Sequence, residues 1–160
     1  NKTYLDGIKS IKVVASGSVD ATNDSFVFAT STGVVTKAIN TSALTGSGVT
    51  INTVTGIDWS YNSAKELIFK KTDGSSFTAA QAQLIEQAIQ FNTVSSPSTT
   101  QGDRVFTLTH TDTSNNVSVS GSSTVTAATS AYRVRNCGAA CLLMSCSNEY
   151  FTSSAITASP

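Results

Sequence analysis

Two runs in the C-terminal half of the chain alternate with a period of two and flank one turn cluster. Arg104–Thr111 reads RVFTLTHT, with Val105, Thr107 and Thr109 on one parity and Phe106, Leu108 and His110 on the other. Val117–Ala127 reads VSVSGSSTVTA and alternates again. Between them lies Asp112-Thr-Ser-Asn115-Asn116. Successive side chains take opposite faces only in a strand, so this stretch predicts an antiparallel hairpin. A hairpin with an apolar face is not stable alone and needs further strands to bury it.

The rest of the chain supplies them. Ile8–Ser16 carries Ile8, then Ile11, Val13 and Ala15 on one parity after a slip. Ser25–Thr30 and Val34–Ile39 follow, joined by a tight connection at Thr32-Gly33. Ser42–Ser47 reads as a loop of small residues, and Val49–Val54 as an alternating strand that Gly56 ends. Ile57–Tyr61 puts Trp59 and Tyr61 on one face, and Leu67-Ile68-Phe69 is a short apolar run. Short strands spaced at about 8–12 residues, with turn signals between them, predict an all-β sandwich.

One segment breaks the period. Thr78-Ala-Ala-Gln81 has the form of a capping box, in which the Thr hydroxyl accepts from the amide three residues on and Gln81 reaches back. Ala80, Leu84, Ala88 and Phe91 then fall at helical spacing, widened by Ile85 and Ile89. The expectation is one short helix over 78–90, with Leu84, Ile85 and Ile89 facing the sheet. The sandwich is expected over 1–127. A cysteine-containing strand or tail, including a strand at Tyr132–Arg135, is expected over 128–160.

Composition excludes several functions. Lys+Arg and Asp+Glu are 10 each, and charged residues make up 12%, against about 25% in average proteins. Ser (25) and Thr (24) take their place. No basic block offers the electrostatic footprint of a nucleic-acid binder. No apolar run approaches the ~20 residues of a membrane helix.

Chemistry-bearing residues are few. His110 is the single histidine. It lies mid-strand, without the context of a nucleophile elbow, so a structural or solvent-facing role is expected. Cys137, Cys141 and Cys146 lack a nearby histidine or fourth cysteine, which makes a poor zinc site. In an oxidising compartment two of them would pair as a disulfide. No cofactor is expected. Calcium is the one ion the loops could take, at Asp20, Asn23 and Asp24 or at Asp112, Asn115 and Asn116, although Asn and Asp also simply favour turns. Gly46-Ser-Gly48 has neither the lysine nor the helix start of a phosphate loop. Trp59, Tyr61 and Phe69 read as core rather than as a sugar-stacking platform.

From about residue 57 to 127 the chain resembles the Ig-like or cadherin-like repeats of large bacterial surface proteins and adhesins. The resemblance rests on a series of short elements: Leu67-Ile68-Phe69, Thr72-Asp73-Gly74, Thr78-Ala79-Ala80, Ala88-Ile89, Phe91-Asn92, Gly102-Asp103-Arg104 with Phe106, and Asp112 with Asn115, Asn116 and Ser118. It implies an Ig-like β-sandwich at the cell surface. The expected function is therefore non-enzymatic: an extracellular structural subunit of a fibre, layer or adhesin stalk that pairs strands with copies of itself or with neighbouring surface domains. The alternative is a ligand- or carbohydrate-binding adhesin module, which an exposed aromatic platform around Trp59 would favour. For assembly, Ile8, Ile11, Val13 and Ala15 form a strand that is either donated to a neighbour or paired inside its own domain.

Overall fold

The computed structural model describes residues 7–93 and 102–127. Nine strands and one helix follow in order: β1 (Ile8–Gly17), β2 (Asp24–Thr30), β3 (Gly33–Ala38), β4 (Leu44–Ile51), β5 (Val54–Tyr61), β6 (Glu66–Lys71), α1 (Ala79–Ala88), β7 (Gln90–Thr93), β8 (Gly102–Asp112) and β9 (Val117–Ala127). They form a six-stranded sheet, β4-β5-β6-β1-β8-β9, and a three-stranded sheet, β3-β2-β7. Every strand pair is antiparallel. The all-β, sandwich-like architecture expected from the alternation is what forms.

The core lies between the sheets. Ile11 and Val13 of β1, Ile57, Trp59 and Tyr61 of β5, Leu67 and Phe69 of β6 and Phe106 of β8 all point inward. The small sheet answers with Phe26 and Phe28 of β2. Phe26 stands edge-on to Tyr61 and Phe106, and Phe28 edge-on to Trp59 and Phe69. Such T-shaped pairs add about 0.5–1.5 kcal/mol each beyond area burial. Gly46 of β4 sits opposite Trp59. A Cβ there would lie 2.2 Å from Trp59 Nε1, so the missing side chain makes the room that the indole fills.

Helix α1 begins as the capping box predicts. Thr78 Oγ1 accepts from Gln81 N at 3.2 Å, and Gln81 Oε1 accepts from Thr78 N at 3.0 Å. Its inward face is Ala82 and Ile85, continued by Ile89 just past its end. Leu84 differs from expectation: it is only half-buried, against the edge of the core. The helix turns Ile85 to the centre, and Leu84, one position back, falls toward the rim.

The region 42–56 also differs. The strand does not run through Val49–Val54; the chain reverses at Asn52 and Thr53, with Ile51 opposite Val54. Asn52 takes a left-handed φ of 51°, a conformation that Asn tolerates better than most residues. The run therefore alternates on both sides of a two-residue turn that composition does not flag. Gly56, expected as a breaker, lies inside β5, and the loop expected at Ser42–Ser47 is largely the start of β4.

Candidate assembly edges

A sandwich leaves its outer strands with unpaired backbone groups, and these are the natural places for a partner to add. The strand singled out for assembly is not one of them. β1 pairs with β6 from Ile11↔Phe69 to Val14↔Glu66 and with β8 from Ile8↔Asp112 to Gly17↔Arg104. Ile8, Ile11, Val13 and Ala15 are all buried in the chain's own core. Of the two readings of this strand, pairing inside its own domain is the one the structure displays.

Four strands have one open side among the described residues: β3, β4, β7 and β9. Each carries a device that discourages pairing. β7 is only 4 residues long. β4 is interrupted by register shifts at Gly46/Val49 and Val49/Ile51. Its outer side is also partly used, because Ser31 N donates to Thr50 O at 2.9 Å and Thr50 N donates to Ser31 Oγ at 3.0 Å. β3 spends Lys37 inward: its Nζ donates to Ala38 O and Asn40 Oδ1 and lies 4.4 Å from the Tyr61 ring centre. Burial pushes the Lys37 ammonium pKa down and the Tyr61 phenol up to about 12. β9 has the least: one register shift, at Leu108/Thr109, in an otherwise continuous ladder. It spans 11 residues with neither charge nor proline, and Val117 at its start is 58% exposed.

The hairpin that presents β9 is fixed by its turn. Asp112 Oδ1 accepts from Asn116 N and Oδ2 from Asn116 Nδ2, both at 2.8 Å, while Asn115 takes a φ of 63°. One expected calcium loop is thus a hydrogen-bonded turn. In the other, Asp20 Oδ1 accepts from the amides of Thr22 and Asn23, and Asp20 Oδ2 from Asn23 Nδ2. Asp24 faces a cation already present: Arg104 Nε donates to Asp24 Oδ2 at 2.9 Å, with both side chains at 0% exposure. Asp20 N donates to the same oxygen at 2.8 Å. Arg104 lies on the same parity of β8 as the buried Phe106, and the partner that satisfies it there is 80 positions away. Among the described residues, no three His, Cys, Asp or Glu side chains gather as a metal site.

His110 Nε2 bonds Glu86 Oε1 and so ties β8 to α1. Trp59 is 6% exposed, so the aromatic platform a carbohydrate reader would use is inside the core. On the outer face of the large sheet a shallow recess of about 460 Å³ is lined by Thr45, Ser47, Asp58, Ser60, Ile68 and Lys70. There Asp58 Oδ1 accepts from Ser47 Oγ (2.6 Å), Gly48 N (2.9 Å) and Thr72 Oγ1 (2.7 Å). The Ser47 and Thr72 hydroxyls, then the Gly48 amide, hold this carboxyl below its ordinary range. Cys137, Cys141 and Cys146 lie outside the described residues. No helix among the described residues is long and apolar enough to cross a membrane.

Searches of protein families, curated proteins and solved structures found no match to this chain.

Proposed function

We propose that this protein is a non-enzymatic structural subunit of an extracellular fibre, layer or adhesin stalk, joined to copies of itself or to neighbouring surface domains by strand pairing. The observation that carries the reading is the route of the chain. Ile8 lies beside Asp112, at the end of the large sheet where β9 starts. Ala127 lies beside Gly102, at the opposite end. The fold is therefore entered at one pole and left at the other, roughly 30 Å away for strands of this length. A unit of that kind extends a chain along its axis.

Three further features support it. The composition is rich in Ser and Thr and poor in charge. The elements from 57 to 127 resemble Ig-like and cadherin-like surface repeats. β9 offers a long edge interrupted by a single register shift, and an uncharged strand of this length is a template for a second strand. In the oxidising setting this reading implies, one pair among Cys137, Cys141 and Cys146 forms a disulfide. Intact-mass analysis with and without reductant checks that.

Electron microscopy of the purified full chain, beside Ser122→Lys, tests the assembly. Filaments or lattices that the lysine abolishes are expected, since Ser122 is the middle of β9 and a charge there faces its counterpart when two copies of β9 pair along their full length. Dispersed monomers at every concentration would contradict the reading. The second reading, a glycan-binding module, now has one specific place, the recess at Asp58 and Lys70. Binding of glycans by the dispersed monomer, lost in Asp58→Ala, would favour it.

A further inference from the structure

The same chain route fixes how the fold meets tension, and this inference rests on the structural reading only for its biological meaning. We infer that β8 is the coupling strand between the points of entry and exit, that end-to-end load passes through it in shear, and that β9 is the first element to yield.

The argument is geometric. β1 and β9 run in the same direction, from the Asp112 pole to the Gly102 pole, and β8 runs between them in the opposite direction. Pulling residue 8 and residue 127 apart drags β1 and β9 in opposite senses along β8. Ladder hydrogen bonds lie perpendicular to the strands. Under this load they are sheared together instead of opening one after another from an end. The small sheet and α1 lie off this path.

The two ladders differ in strength. β1 is held by Ile8–Gly17 against β8 and by Ile11–Val14 against β6. Four of its side chains are buried in the core. β9 is held, among the described residues, by β8 alone; both ladders on β8 carry one register shift, at Ile8/Ser10 and at Leu108/Thr109. On its inward parity Ser118, Gly121 and Ser123 face His110, Leu108 and Phe106, and Val125 packs against the core cluster as a half-buried side chain. A strand with so little apolar burial has little besides its ladder to resist sliding.

The yield has a defined size. Release of β9 frees the residues from Thr113 to Ala127, 127 − 112 = 15 of them. Extended, these reach about 50 Å, of which about 30 Å was already spanned, so the first step is roughly 20 Å.

Single-molecule force spectroscopy on the full chain tests the inference. Handles are attached at residues 6 and 128, and Cys137, Cys141 and Cys146 are replaced by Ser. The key variant pairs Val105→Cys with Thr124→Cys, which face each other across β8 and β9. Oxidised, it should lose the short first step and rupture at higher force; reduced in place, the same molecule should regain both. Ala29→Cys with Val34→Cys staples β2 to β3, off the load path, and should leave the first step and its force unchanged. A first step that survives the oxidised β8–β9 staple, or that the β2–β3 staple removes equally, overturns the inference. Assembly is read separately by microscopy, so a chain that yields as described but never assembles would refute the proposed function alone.

Discussion

β1 and β9 have the same pattern in the sequence and opposite positions in the molecule. Each alternates over ten or eleven residues beside a turn. β1 lies fourth in the six-stranded sheet, bonded on both sides, with Ile11 fully buried. Among the described residues β9 closes the sheet, bonded on one side, with Ser and Thr at most positions. The difference is in what alternates. Where Ile and Val alternate with polar residues, the strand has an apolar face that only a core can take. Where Val alternates with Ser, neither face demands burial, and the strand can end a sheet. Alternation gives the element; side-chain volume on the inward parity gives its place.

That contrast can be broken at graded cost. The largest effect is expected at the pole where β8 receives β2. Asp24→Ala leaves the Arg104 guanidinium buried without its carboxylate and should cost about 3–5 kcal/mol in denaturant unfolding. Ile11→Ala on β1 should cost about 2–5 kcal/mol, the range for emptying a buried aliphatic site. Gly46→Ala drives a methyl group into the Trp59 indole and should cost about 1–3 kcal/mol, read together with a change in tryptophan fluorescence. Ser122→Ala on β9 should stay within about 0.5 kcal/mol. A β9 substitution as costly as Ile11→Ala would erase the distinction between the two strands.

Acid sharpens the comparison from another side. The carboxyls of Asp58, Asp73 and Glu66 all titrate below their ordinary values, because Ser47, Ser75 and Lys12 respectively are the foremost groups hydrogen-bonded to their charged forms. Each contributes stability that is complete above the unfolded value and is lost as pH falls through the folded one. The three lie on β5, β6 and the turn after β6, none on β9. Stability should therefore decline below the ordinary aspartate value of 3.8. Asp58→Asn should be less stable than the parent at neutral pH and converge with it in acid. A constant gap between the two curves from neutral pH into acid would show that the Asp58 charge plays no part.

Much of this fold was legible in the sequence because its signals are local. The β8–β9 hairpin, the Thr78 capping box and the inward parity of Trp59, Tyr61 and Phe69 each follow from residues a few positions apart. What was not legible depends on distance. Nothing near Ile8 says whether its strand lies in the middle of a sheet or waits for a neighbour; that is decided by β6 and β8, which reach it from far along the chain. The partners that hold Arg104 and Lys37, Asp24 and Asn40, become known only from the fold. The Asn52 turn hides because Asn52 and Thr53 look like a continuation of the Val49–Ile51 alternation, although the two-residue reversal moves the inward position on to Val54. The open edge of β9 follows only from knowing which strands pair, and the load path follows from the edge.

The measurement that tests the central claim most directly is amide hydrogen exchange of the full chain, followed at β1 and β9 over a range of protein concentrations. Core strands open only with the whole fold, whereas peripheral ones open locally at lower free energy. The account predicts that β1 amides exchange at the global rate whatever the concentration. It predicts that β9 amides exchange faster in the dilute monomer and slow as assembly proceeds. Protection of β9 that equals that of β1 in the dilute monomer, and does not change with concentration, would contradict it.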